Sequence, residues 1–394
     1  MKRKILDFIE KIARLTIRSV HRLTSILPLQ NKIIFNSIPD FGDSTVEVFN
    51  YIIEMEEFKE CKIIWYCENF EKYKNRQRPN VRIRKRIPNP FLRLKNIFTE
   101  STAKACVYSH NIYGNIYNGK QMRLVIDHGS YGIKKGLGMK KSIDYSTHRV
   151  KTRGKETEKV RVLGLPRNDR LFDNPAETRA KLKLEHDGKI IIWMPTFKRY
   201  KSRSIFQQER NDYATEKNAD ISLQHDGDFY NKLHDTLHET NTLLIIKYHP
   251  SQNMRYVINK ETPNIKILTD AQIIDEGVAL YSLIGATDAL ISDFSSVVYD
   301  YLLIDRPIGF DITDLDDYIS GGTVAVEDPL AHMPGYKISN VDSFCGFIKN
   351  VAAGEDGFEA ERKAMLKKVH INKDNQSAKR VAGLILNHMG GSNG

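Results

Sequence analysis

At 394 residues the chain is longer than one typical hydrophobic core organises, so two domains are expected. Its 41% hydrophobic and 28% charged residues describe a globular chain, and no run of about 18 apolar residues is present to span a bilayer. A formal charge of +11 calls for an anionic partner, while the lack of an RNA-binding motif or of aromatic–basic interleaving argues against nucleic acid.

The first element is a helix over residues 2–26. At about 100° per residue, Ile5, Phe8, Ile9, Ile12, Leu15, Val20 and Leu23 share one face. Lys4, Lys11, Arg14, Arg18 and Arg22 gather on the other. Such a helix suits a bilayer interface, with its cations at anionic headgroups. It equally suits packing on its own domain with the basic side in water. Pro28 ends it, and the basic start lacks the continuous apolar stretch and small-residue cleavage site of a secretory signal.

Beyond Pro28, short apolar runs alternate with helical stretches. The expected strands are Lys32–Phe35, Lys62–Tyr66, Val81–Ile83, Ala105–Tyr108, Arg123–Ile126 and Val160–Leu163, then Lys189–Trp193, Leu243–Lys247, Ile265–Leu268, Ala289–Ile291 and Pro307–Phe310. These runs are apolar throughout, as parallel strands covered on both faces are. Strands separated by helices predict two doubly wound, Rossmann-like α/β domains. The expected division is a helix at 1–27, a first α/β domain at 28–175, a second at 176–375, and a C-terminal helix and tail at 376–394. Cys61, Cys67, Cys106 and Cys345 lack metal-ligand spacing, and Cys61 and Cys67, flanking a strand-like KIIWY segment, read as packing residues of a reducing compartment.

In doubly wound folds ligands bind outside the carboxyl ends of the strands, so polar residues should cluster there. Five strand ends obey. They are Asp127-His128-Gly129-Ser130, Gly164-Leu165-Pro166-Arg167-Asn168-Asp169, Met194-Pro195-Thr196-Phe197-Lys198-Arg199, Lys247-Tyr248-His249-Pro250 and Ser292-Asp293-Phe294-Ser295-Ser296. Ser295 and Ser296 open a helical pattern with Val297, Val298, Tyr301 and Leu302 on one side. They serve either as a helix cap or, with unpaired first-turn N–H groups, as an anion site. A histidine beside Gly129 can take a proton near neutrality where backbone and ligand approach closely. Lys247 and His249 fall on one side of an extended strand end.

Lys198 to Asp228 is a long polar excursion, read as a lid or acceptor loop or as a solvated insertion. Asp311, Asp314, Asp316 and Asp317 lack the glycine and terminal glutamate of a calcium loop and read as a solvated turn and helix start. No metal or other cofactor is expected. Cations and helix termini are to neutralise a bound phosphate.

Taken in order, the HG followed by KK, GLPRND, MPTF-K-R, KYHP and SDFSSVVYDYLLIDRPIGF with DLDDY resemble the bacterial CDP-glycerol glycerophosphotransferase family of teichoic-acid primases and polymerases. The resemblance covers roughly residues 100 to 340, and its last motif is the most specific. It implies a GT-B-like fold, two such domains facing across a cleft. The donor is then CDP-glycerol, and the acceptor is a polyprenyl-diphosphate-linked saccharide or a polyol-phosphate chain at the cytoplasmic face of the membrane. It makes His128 and His249 the catalytic pair, the first as general base and the second on the donor phosphates. It places Arg167, Pro195, Thr196, Ser295, Ser296 and Asp300 in the substrate site, and Asp127, Gly129, Ser130, Lys247 and Tyr248, at the same strand ends, are expected to join them there. CDP-ribitol and nucleotide-sugar donors are the alternatives. The residues flanking His128 depart from the family, which carries tryptophan before HG and Thr-Pro-Leu after it, so the acceptor and the donor polyol stay open.

Overall fold

The computed structural model describes residues 19–20, 23–24, 26–86, 94–109, 120–126, 149–152, 159–195, 228–248, 261–320, 326 and 328–390. They divide into two compact units. One takes the described residues of Met1–Ser130, Ser146–Asp169 and Asn372–Gly394, the other those of Arg170–Ile371. The chain thus passes from the first unit to the second at Asp169, earlier than the expected boundary at 175, and returns at Asn372.

The first unit is a seven-stranded sheet in the order β3-β2-β1-β4-β5-β6-β7. Its strands are β1 (Gln30–Asn36), β2 (Lys62–Cys67), β3 (Val81–Lys85), β4 (Ala103–Tyr108), β5 (Met122–Ile126), β6 (Arg149–Thr152) and β7 (Lys159–Val162). The first five pair in parallel, and their Ile, Val and Cys side chains, apart from the half-buried Val125, are buried on both faces, as the unbroken apolar runs require. The sheet is not parallel throughout, however. β6 runs antiparallel to β5, and β7 antiparallel to β6. Lys159-Val160-Arg161-Val162, at the sheet's edge, alternates polar with apolar residues, as antiparallel strands commonly do.

One face of this sheet packs on helix α1 (Asp43–Ile52). Phe35, Phe41, Val48, Phe49, Ile52 and Trp65 share a core, with Phe35 and Trp65 stacked at 5.5 Å. The C-terminal helix, Ser377–Gly390, closes the same core with Val381, Ala382, Ile385 and Met389. Cys61 and Cys67 are buried here, and burial pushes their thiols up to about 12 and about 11. Most of the N-terminal helix expected over 2–26 lies outside the described residues. Of its end, Ser19, Val20, Leu23 and Thr24 are helical, and Thr24 Oγ1 lies 2.7 Å from Ser101 Oγ of helix α2 (Leu94–Ser101). No helix among the described residues is long and apolar enough to cross a membrane.

The second unit is a six-stranded, wholly parallel sheet in the order β10-β9-β8-β11-β12-β13. The strands are β8 (Lys189–Met194), β9 (Thr242–Ile246), β10 (Ile265–Ile267), β11 (Ala289–Ser292), β12 (Ile308–Asp311) and β13 (Tyr336–Ile338). Alternate strand residues feed two cores. Ile190, Ile192, Ile245, Leu290 and Phe310 point to one. Ile191, Trp193, Leu244, Ile246 and Ile291 point to the other, where Trp193 meets Phe344 edge-on at 5.0 Å. Strand order reverses between β1 and β4 in the first sheet and between β8 and β11 in the second, and at such points loops part to leave a crevice at the carboxyl edge.

Candidate functional site

The switch point of the second sheet brings together several of the residues read from the sequence. β8 and β11 end level with each other, Met194 opposite Ser292, and Ser292 Oγ donates to the Met194 carbonyl at 2.7 Å. Pro195 follows, half-buried. On β11 the chain turns through Asp293 and Phe294 into Ser295 and Ser296. Phe294 is buried in the core and anchors the turn, leaving both serines half-buried. Ser295 Oγ accepts the Val297 N–H at 3.5 Å. Ser296 occupies the cap position of helix α3 (Val297–Tyr301), but its hydroxyl makes no capping bond. The cap reading therefore fails for Ser296.

Helix α3 is buried along its whole length. Asp300, at 2% exposure, accepts a hydrogen bond of 2.6 Å from Tyr281 Oη. Lys247, just past β9, is likewise enclosed. Its ammonium donates to the Tyr248 carbonyl at 3.0 Å and pairs with Asp270 at 3.0 Å. Tyr248 is buried in the core beneath the strand ends. Lys247 and Asp300 thus sit at the expected edge with their charged ends already engaged by the protein.

Reasoning from the sequence missed Asp311. It is the last residue of β12, only 7% exposed, and not part of a solvated turn. Ser292 pairs with Phe310 across β11 and β12, so Asp293 and Asp311 are the next residues along two neighbouring strands. Thr313 donates to Asp311 Oδ1 from both its N–H, at 3.1 Å, and its hydroxyl, at 2.6 Å. Burial pushes the carboxyl up to about 6, and the nearby charges of Asp293 and Asp314 add to the rise against the pull of Thr313. A signal was present, because Asp311 follows the expected strand Pro307–Phe310 as the other polar residues follow theirs.

Arg167 belongs to the first unit and is held within it. Its Nη1 bonds Asp43 Oδ1 at 3.0 Å, and its backbone N–H donates to Ser44 Oγ at 3.4 Å, both residues opening α1. Two other residues of GLPRND, Gly164 and Asp169, hold the start of the C-terminal helix. Asp169 accepts the N–H groups of Ser377 and Ala378 at 2.9 and 2.8 Å. Gly164 takes φ +82, and a Cβ there would stand 2.3 Å from Ser377 Oγ. Asp127, His128, Gly129, Ser130, Thr196 and His249 lie outside the described residues, as does all of the 198–228 excursion except Asp228. Among the described residues no group of three or more His, Cys, Asp or Glu is placed to hold a metal ion.

Two open α/β units, the second with hydroxyls, a lysine and carboxylates gathered at its switch point, define an α/β protein of the class that binds ligands outside its strand ends. The family model for CDP-glycerol:poly(glycerophosphate) glycerophosphotransferases matches residues 19–387, and the chain belongs to that family. Teichoic acid ribitol-phosphate polymerase TarK of Staphylococcus aureus is 25% identical over 237 residues, which are 58% of this chain and 40% of the relative. A teichoic acid glycerol-phosphate primase of Bacillus spizizenii is 28% identical over 162 residues, 39% of this chain and 34% of the relative. Each match spans well under half of the relative's own length. Among solved structures, a variant of the wall teichoic acid polymerase TagF superposes with a TM-score of 0.69 at 18% identity, covering 98% of this chain and 97% of that one. A form of the same polymerase soaked with CDPG superposes at 0.65 and 17% identity, with the same coverage. At these identities the likeness is one of fold.

Proposed function

We propose that this chain transfers glycerol phosphate from CDP-glycerol to a hydroxyl of a lipid-linked saccharide or polyol-phosphate chain, releasing CMP. The family match over residues 19–387 carries the reading. The CDPG soak of the TagF polymerase supports the donor, and the polar strand ends at the second switch point are consistent with a phosphate-binding edge. In this reading His128 takes the proton of the attacking hydroxyl. The hydroxyl oxygen bonds the phosphorus that carries the glycerol, the bond from that phosphorus to the bridging oxygen breaks, and CMP leaves with the electron pair. His249 and the Ser295–Ser296 turn meet the charge on the diphosphate, with Thr196 and Pro195 beside the donor. Lys247, Asp300 and Arg167 act by holding the site's loops and helices, since each is tied to a protein partner. The reading needs no metal, and it places the enzyme peripherally on the cytoplasmic leaflet with the basic N-terminal helix toward anionic lipid.

CDP-ribitol is the second reading, favoured by TarK, a ribitol-phosphate polymerase. Purified protein offered CDP-glycerol, CDP-ribitol and nucleotide sugars with a lipid-linked acceptor separates the readings. CMP release from one CDP-polyol identifies the donor, whereas release of a nucleoside diphosphate from a sugar donor rejects both. His128→Ala should abolish CMP release while donor binding persists; turnover near the wild-type rate would remove His128 from its role.

A further inference from the structure

We propose that Asp311 reads a hydroxyl of the donor, its free carboxylate oxygen accepting a hydrogen bond from the ribose or from the polyol. The inference rests on the donor reading above and adds a residue to it. Asp311 shares the carboxyl edge of the second sheet with Ser295 and Ser296, one strand removed from the switch point. Its oxygens are unequal. Oδ1 takes both hydrogen bonds from Thr313, and Oδ2 takes none from any described residue. No cation pairs with it among the described residues, and the charges that act on it, Asp293 and Asp314, are of its own sign.

Although the residue is more than nine-tenths buried and lies beside like charges, Oδ2 is not among the buried atoms without a partner, so this oxygen reaches the surface where a ligand can take the place of water. The group that bonds it must donate a hydrogen bond, because an ionised carboxylate only accepts. It must not be anionic, because Asp293 and Asp314 would repel it, so the phosphates themselves are excluded. The hydroxyls of a nucleoside diphosphate polyol fit both conditions. A hydrogen bond to a charged partner is among the stronger kinds, and its loss should weaken binding roughly tenfold or more.

Asp311→Asn keeps an oxygen for Thr313 and removes the charged acceptor. Titration calorimetry of wild type and variant with CDP and with CDP-glycerol reads the effect. Equal weakening toward both ligands assigns the ribose, and weakening toward CDP-glycerol alone assigns the polyol. Unchanged affinity for both, with wild type binding CDP, overturns the inference and leaves the donor reading standing. A wild type that binds no cytidine nucleotide overturns both. If the Asn variant does not fold, ligand-side deletion on the wild type decides. Neither 2′-deoxy-CDP, 3′-deoxy-CDP nor a CDP ester of a polyol lacking one hydroxyl should bind as well as its parent if the bond exists through that hydroxyl, and full affinity for all three refutes it.

Discussion

Asp311→Asn should stabilise the second unit at neutral pH. In the folded chain the carboxyl titrates near 6, against an ordinary 3.8 when unfolded. Between those values the folded state holds more proton than the unfolded one, so stability falls as pH rises through the window and is level above it. A difference of about two pK units corresponds to about 3 kcal/mol of cost at pH 7. Asn carries no charge, keeps an acceptor for Thr313 and escapes that cost. The variant should therefore exceed wild type by up to about 3 kcal/mol at pH 7, and the gap should close toward pH 4. Urea unfolding at a series of pH values measures it, since other titrating groups cancel in the difference. The two tryptophans, Trp65 and Trp193, fall one in each unit, so a Trp65→Phe background leaves Trp193 to report the second unit alone. A gap that stays constant from pH 4 to 7, or a variant less stable at pH 7, would refute the reasoning. Stability gained at the expense of donor binding is the pattern expected of a functional carboxylate.

Three further outcomes follow from the same geometry. Asp169→Ala removes two charge-assisted bonds from the start of the C-terminal helix and should cost about 1–3 kcal/mol, seen as faster amide exchange across residues 377–390 while the second unit is unaffected. Gly164→Ala meets both a left-handed backbone and Ser377 Oγ. It should destabilise by about 2 kcal/mol or more, and less so in a Ser377→Gly background, as a chemical denaturation series would show. Ser296→Ala should change stability by less than about 0.5 kcal/mol, because its hydroxyl caps nothing, yet weaken donor binding in calorimetry; a loss near 1 kcal/mol of stability with unchanged binding would restore the cap role.

Much of the scaffold was legible because its signals are local. Runs such as Lys62–Tyr66, Lys189–Trp193 and Ala289–Ile291 are apolar, β-branched or aromatic, and bounded by polar turns, and such runs have few alternatives to a buried parallel strand. β6 and β13 were missed because they are only four and three residues long, with Arg149, Lys151 and Lys337 interrupting any apolar run. Antiparallel pairing at the β5-β6-β7 edge depends on where the chain returns, which no window of residues records.

The sequence by itself determined where polar side chains stand, because a polar residue placed directly after an apolar strand can only lie at the sheet's carboxyl edge. Only the tertiary structure decided what those polar groups do. Arg167 is committed to Asp43, Lys247 to Asp270, Asp300 to Tyr281, and Asp169 to a helix that begins at Ser377. Each partner comes from another segment of the chain. A charge near a ligand edge is available or spent according to what folds against it, and that choice belongs to packing across the whole unit. Asp311 shows the converse: within an acidic run that reads as solvated turn, it becomes, once β12 is laid beside β11, a buried carboxylate with one oxygen that no described residue bonds.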